Sequence, residues 1–154
     1  MKVEAVYTHG AVHIPQSRNL QEAAVQMRDQ HVGALAVTDG MVDDRLIGIV
    51  TDRDMVLKAT ALGASPLDTL VAEVMTAGVI TIDKDAELSD AMQAMFSHGV
   101  RRLAVTSGAA VVVGILSLDD VIDALGTEWA LLTRILRSEQ VCERPGSMQS
   151  PLHL

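Results

Sequence analysis

Aromatic side chains are almost absent: the 154 residues hold one Trp, one Tyr and one Phe. Proteins that grip single-stranded nucleic acid stack bases on several such rings, so their scarcity argues against that class. Positive charge is also short. Twelve Lys and Arg face twenty Asp and Glu, a formal net charge of −8. A field of that sign repels phosphate backbones and anionic lipid, which argues against nucleic-acid and membrane partners. No apolar run reaches the roughly 20 residues of a membrane span. The start, Met1-Lys2-Val3-Glu4, lacks the apolar stretch of a secretory signal. Cysteine occurs once, as Cys142, so no internal disulfide can form, and a reducing, cytoplasmic setting is expected. His9, His13, His31 and His98 are scattered without metal-ligand spacing. With no nucleophile–base pairing and no phosphate-binding loop either, the chain reads as neither an enzyme nor a metal site.

What is abundant is aliphatic. Apolar residues make up 49% of the chain, so the core must be built from Ala, Val, Leu, Ile and the eight Met. These residues recur in a pattern. Shifted by 68 positions, Val3 falls on Val71, Thr8 on Thr76, Gly10 on Gly78, Ile14 on Ile82 and Met27 on Met95. The run Leu35-Ala36-Val37-Thr38 then falls on Leu103-Ala104-Val105-Thr106. Past a turn-like Asp- and Gly-rich stretch the offset becomes 66, where Gly48-Ile49 meets Gly114-Ile115 and Asp54 meets Asp120. A gap confined to a turn is the mark of a structural repeat.

Each repeat reads β-α-β-β-α. The strands are Ala11–Ile14, Ala34–Thr38 and Leu46–Val50, then Val79–Ile82, Leu103–Thr106 and Val111–Leu116. Their near-continuous apolar character predicts sheets covered on both faces. Leu20, Ala23, Ala24, Met27 and His31 share one face of a first helix. Leu88, Ala91, Met92, Met95 and Phe96 share one face of its counterpart. Asn19 with Glu22 predicts a capping box, and Asp85 an N-cap. Second helices follow at about 52–62 and 118–125. The expected fold is α/β (α+β): two repeats, 1–66 and 67–126, packed sheet to sheet about a pseudo-two-fold axis. Residues 127–154 add a short amphipathic helix, marked by Trp129, Leu132, Ile135 and Leu136, and a loop-like tail.

One stretch carries chemistry twice. Gly48-Ile49-Val50-Thr51-Asp52-Arg53-Asp54 and Gly114-Ile115-Leu116-Ser117-Leu118-Asp119-Asp120 each run glycine, two aliphatics, a hydroxyl and, three residues on, aspartate. Each sits where a strand hands over to a helix, a place where free N–H groups favour anions. Hydroxyl and acid three apart also describe a helix cap, which stabilises by about 1 kcal/mol. Yet an aspartate at such a junction can also accept both hydroxyls of a ribose diol.

The doubled motif resembles that of tandem cystathionine-β-synthase (CBS) domains, also called a Bateman module. So do Ala72-Glu73-Val74-Met75-Thr76, Leu20-Gln21-Glu22-Ala23-Ala24 and His98-Gly99-Val100-Arg101-Arg102-Leu103-Ala104-Val105. The resemblance spans about residues 3–125 and is greatest to small stand-alone bacterial CBS pairs. It implies a regulatory module that binds an adenosyl compound: AMP, ADP, ATP, S-adenosylmethionine or NAD. It further implies that Asp54 and Asp120 take ribose hydroxyls and that Thr51 and Ser117 contact phosphate or ribose. Ile14, Ala34, Ile82 and Leu103 would then flank adenine, while Arg101 and Arg102 neutralise phosphates. No catalytic cofactor is implied. An effector protein, reached in trans, and a homodimer formed through paired helices are.

The copies differ. Arg101-Arg102 is matched in the first repeat by Gly33-Ala34, while Arg53 in the first motif is matched by Asp119. The two clefts are therefore expected to differ in phosphate capacity, with Arg53 serving the first motif and the arginine pair the second. A ligand-free interaction scaffold, in which the motifs are caps alone, is the competing reading.

Overall fold

The computed structural model describes residues 1–41, 45–108 and 111–142. The tail segment 144–151 therefore lies outside the described residues. The strands are β1 (Thr8–His9), β2 (His13–Pro15), β3 (Ala34–Thr38), β4 (Leu46–Thr51), β5 (Thr76–Ala77), β6 (Thr81–Asp83), β7 (Arg102–Ser107) and β8 (Val111–Ser117). The helices are α1 (Leu20–Gln30), α2 (Asp52–Lys58), α3 (Val71–Val74), α4 (Leu88–His98) and α5 (Leu118–Cys142). Single 3₁₀ turns form at Val3–Ala5 and Thr60–Leu62. The two expected α+β repeats are present.

The strands form two four-stranded sheets, ordered β2-β3-β4-β5 and β1-β8-β7-β6. Each repeat thus lends its first short strand to the other. Strand β1 pairs antiparallel with β8, Thr8 opposite Ile115 and His9 opposite Gly114. Strand β5 pairs likewise with β4, Ala77 opposite Gly48 and Thr76 opposite Ile49. The remaining ladders are internal to each repeat: parallel between β2 and β3, antiparallel between β3 and β4, and matched by β6, β7 and β8. Hydrogen bonds outside the ladders repeat too. Ala36 N–H donates to Val12 O at 2.9 Å, as Ala104 N–H does to Ile80 O at 3.0 Å.

The exchange extends to the cores. One cluster gathers Ile14, Leu20, Ala23, Met27, Leu35, Val37 and Val50 with Val71 and Val74 from the start of the second repeat. The other gathers Leu88, Ala91, Met95, Leu103, Val105, Leu116 and Val121 with Val3 and Tyr7 from the chain's beginning. Val3 and Val71 are fully buried. Neither repeat closes its core without a segment of its partner.

Local signals explain most boundaries. Asn19 Oδ1 accepts from Glu22 N–H at 2.9 Å, and Glu22 Oε2 accepts from Asn19 N–H at 3.0 Å, so the expected capping box opens α1. His31 ends it with φ 55°, the left-handed conformation that its counterpart Gly99 adopts at φ 64°. His31 is therefore a cap and is exposed, not part of the buried face. Ala24, Met92 and Phe96 are likewise exposed, Phe96 at 83%. Buried faces narrow to Leu20, Ala23 and Met27 on α1, and to Leu88, Ala91 and Met95 on α4. Asp85 is not an N-cap. Its N–H is held by Asp83 Oδ1 in the preceding turn, and α4 begins after Glu87, whose N–H donates to Asp90 Oδ2.

The largest departure concerns the end of the chain. No break occurs at Gly126, and no separate helix starts at Thr127. A single 25-residue helix, α5, runs from Leu118 to Cys142. One glycine inside a helix costs only about 1 kcal/mol relative to alanine. The flanking Ala124, Leu125, Glu128, Ala130 and Leu131 favour helix strongly enough to carry through it. Thr127 Oγ1 donates back to Asp123 O at 3.1 Å instead of capping anything.

The motif glycines have a steric cause. A Cβ at Gly48 would lie 2.8 Å from Thr76 O and 3.0 Å from Met75 Sδ. A Cβ at Gly114 would overlap Thr8 O and the Tyr7 ring. Both obstructions belong to the borrowed strands. Gly114→Ala should lower stability by roughly 2–3 kcal/mol, the cost of overpacking against backbone. A shift of the urea midpoint measures it; a change near zero would mean that β1 does not bind β8 this closely.

Candidate functional site

Of the clefts that both repeats line, two hold the motifs, and corresponding residues build them. In the first, the segments Thr8–Val12 and Val32–Ala36 meet Ser117, Asp120 and Arg102 around a cavity of about 210 Å³. In the second, Thr76, Gly78–Ile80 and Gly99–Arg102 meet Thr51 and Asp54 around about 340 Å³. The second volume falls in the usual small-ligand range of roughly 300–1,000 Å³. Each motif therefore faces the strand entries of the other repeat. Strand exchange is the reason: β1 carries residues 8–12 to the edge where β8 ends at Ser117, and β5 carries 76–80 to the end of β4.

Within each cleft the motif is prearranged. Asp54 Oδ2 accepts from Thr51 N–H at 3.0 Å and from Thr51 Oγ1 at 2.8 Å, while Asp54 N–H donates to Thr51 Oγ1 at 3.1 Å. Asp120 Oδ2 accepts from Ser117 N–H at 2.8 Å and from Ser117 Oγ at 2.6 Å, with Asp120 N–H donating to Ser117 Oγ at 3.2 Å. The capping function is thus real in both copies. It uses one carboxylate oxygen and leaves the other to different fates. Asp54 Oδ1 lies 2.9 Å from Lys58 Nζ, which also donates to Val74 O at 2.9 Å. One turn beyond Asp120 stands Ala124, and Asp120 Oδ1 has no protein partner among the described residues.

Seven of the eleven expected site residues line these cavities. Ala34, Ser117 and Asp120 line the first, Thr51, Asp54 and Arg101 the second, and Arg102 borders both. The other four lie elsewhere. Ile14 and Leu103 are core residues, 3% and 0% exposed, and Ile82 packs half-buried against the second core. Arg53 is exposed and is not part of either wall. The expected assignment of charge holds only for Arg102, which borders the cleft of Ser117 and Asp120; both arginines also reach the cleft of Thr51 and Asp54, across the repeat boundary. Asp119 does not intrude on the cleft of Ser117 and Asp120. It forms an exposed pair with Arg101 at 3.5 Å, of a kind worth about 0–1 kcal/mol.

Sequence reasoning missed the apolar walls Val12 and Val32, and Ile80 and Val100, together with Lys58. A signal was present for the walls. Gly10 and Gly78 match at the repeat offset, and both take left-handed φ values, 76° and 81°, that turn the chain into the cleft. Among the described residues no group of three or more His, Cys, Asp or Glu gathers where a metal ion could bind, and no helix is long and apolar enough to cross a membrane.

Two pseudo-symmetric clefts, each bordered by a hydroxyl–carboxylate junction, make this a doubled β-α-β-β-α module. The chain belongs to the CBS domain family, whose profile matches residues 3–59 and 71–127. CBS pairs are regulatory, ligand-binding or signalling modules, and stand-alone pairs are typically non-catalytic. Similar proteins include uncharacterized protein YlbB of Bacillus subtilis, 35% identical over 134 residues, which are 87% of this chain and 79% of that protein. Hypoxic response protein 1 of Mycobacterium tuberculosis is 33% identical over 112 residues, 73% of this chain and 76% of that one. The crystal structure of Hypoxic Response Protein I with two coordinated zinc ions superposes with a TM-score of 0.66 at 30% identity, covering 80% of this chain and 98% of the other.

The Asp54 carboxyl titrates below the usual range. Burial alone would raise its pKa, but hydrogen bonds from Lys58 and Thr51 and the Lys58 charge together outweigh it. An acid depressed in this way binds protons more tightly when unfolded. Its stabilisation is complete above the unfolded pKa of about 4 and is lost as pH falls through the lower folded value. Asp54→Asn should therefore be less stable than wild type near neutrality, with the gap closing below about pH 4. Urea midpoints across pH measure this; a gap independent of pH would remove the ion pair as its cause.

Proposed function

We propose that the chain is a cytoplasmic sensor that binds an adenosyl compound between its repeats and acts on a partner protein in trans. The carrying observation is that Ser117–Asp120 and Thr51–Asp54 each face apolar walls and backbone from the opposite repeat. Adenine fits between Val12 and Val32, or between Ile80 and Val100, with strand-entry backbone groups at its edge. The ribose diol donates to Asp120 or Asp54, and the hydroxyls of Ser117 and Thr51 reach ribose or phosphate. Arg101 and Arg102 supply the local positive charge that phosphates need in an acidic protein. Ile14, Ile82 and Leu103 support these walls from beneath. A ligand bound across both repeats favours one relative orientation of them, and differential affinity of that kind drives a switch.

The scaffold reading draws on one observation: both aspartates cap their helices. Isothermal titration with AMP, ATP, NAD and S-adenosylmethionine separates the two. Heat with at least one of them is expected, lost in Asp54→Asn combined with Asp120→Asn. No heat and no rise in melting temperature with any of the four would leave the scaffold reading standing.

We further propose a homodimer that uses α5. Ile122, Leu125, Trp129, Leu132 and Leu136 recur at alternating spacings of three and four, the seam of paired helices. Trp129 is 69% exposed and Leu136 61% in the single chain, so the seam is open to a second copy. Sedimentation should find a dimer, and Trp129→Glu with Leu132→Glu should give a monomer of unchanged secondary structure. A wild-type monomer at micromolar concentration would refute this.

A further inference from the structure

The carboxylates of the two motifs share every partner of Oδ2 and differ only at Oδ1. In one cleft that oxygen is held by Lys58, which bridges at 2.9 Å to Asp54 and at 2.9 Å to Val74 O. In the other the matching position is Ala124, and the oxygen faces no protein partner among the described residues. Charge follows the same division. Arg102 and Arg101, the latter in an exposed pair with Asp119 at 3.5 Å, line the cleft of Asp54, whose own charge Lys58 offsets. In the cleft of Asp120, Arg102 is the one cation among the lining residues and is balanced by the aspartate itself.

We propose that Lys58 divides the labour between the clefts: the Ser117–Asp120 cleft takes the nucleoside, and the Thr51–Asp54 cleft takes a polyphosphate anion. This rests on the nucleotide reading above. A ribose diol takes two acceptor lone pairs; among the described residues Asp120 Oδ1 has both open, whereas Lys58 occupies one of those on Asp54 Oδ1. To receive the diol, Asp54 must first share or release an ammonium that is also tied to the end of α3. That same ammonium removes the repulsion that Asp54 would exert on a phosphate chain, leaving Arg101 and Arg102 to hold it as charge-assisted donors. Lys58 is a positioning residue here: it acts through Asp54.

The test uses two half-ligands on the full chain, adenosine with no charge and tripolyphosphate with no diol, followed by amide NMR shifts and titration stoichiometry. Adenosine should bind once per chain, shift Gly114 and Ser117, and lose about tenfold or more in affinity with Asp120→Asn but not with Asp54→Asn. Tripolyphosphate should shift Gly48 and Thr51 and weaken by about tenfold in Arg101→Ala, but not in Asp120→Asn. Lys58→Met keeps the aliphatic stem and should raise the adenosine stoichiometry to two, while Ala124→Lys should suppress the first site. Circular dichroism confirms that each variant is folded. Two equal adenosine sites in wild type, or a stoichiometry unmoved by Lys58→Met, overturn the division alone. Absence of binding by both probes and by AMP overturns the nucleotide reading and the division with it.

Discussion

The close backbone contact between the borrowed strands and the motif glycines governs this molecule. Gly114 lies against Thr8 and Tyr7, and Gly48 against Thr76 and Met75, because no side chain stands between them. That contact lets β1 complete the sheet of the second repeat and β5 the sheet of the first. Once the strands cross, Val3 and Tyr7 are drawn into one core and Val71 and Val74 into the other. Each repeat of roughly 60 residues would bury too little surface alone. Interlocking makes the pair one cooperative unit, and the same crossing aims each strand entry at the opposite motif. Fold and binding geometry thus share one steric condition.

The hydroxyl–aspartate junction serves two ends without conflict because a carboxylate has two oxygens. Oδ2 satisfies the helix start through the backbone N–H and hydroxyl of Thr51 or Ser117. Oδ1 is left to the cleft or to a neighbouring lysine. A glutamate, the commoner partner in such caps, has one more methylene. Aspartate closes the box with its carboxylate drawn in at the cleft wall. The cap and the proposed ligand contact of the motif therefore use different oxygens of one carboxylate.

Much of this was legible in the sequence. The offset of 68 announced the repeat, the apolar runs announced buried strands, and Asn19 with Glu22 announced the start of α1. What was not legible was whatever depends on which repeat a segment joins. Two-residue strands such as Thr8–His9 are too short for periodicity to reveal. Without the crossing, nothing in the chain order shows that Arg101 and Arg102 also reach the motif of the other repeat. Arg53 looked useful because it lies inside a motif, yet a helix turns it outward. Ile14, Ile82 and Leu103 sit on strands beside the clefts, where strand alternation sends their side chains into the core. At Gly126 a residue that often ends helices was outvoted by its neighbours. Phe96 and Met92 looked like core by spacing, but an apolar stripe does not state which protein will cover it.

The continuous course of α5 has a mechanical consequence. Its first turn contains Asp120, so the helix begins inside a cleft, and its 25 residues extend without a hinge. At 1.5 Å per residue that is a rigid arm of about 37 Å. Tilting it by about 5° at the cleft end sweeps the far end through about 3 Å, by the geometry of a helix that length. A sub-ångström displacement around the carboxylate would, by that geometry, grow to the size of a side-chain contact at the far end. A break at Gly126 would absorb such a tilt; an unbroken helix would carry it along its whole length.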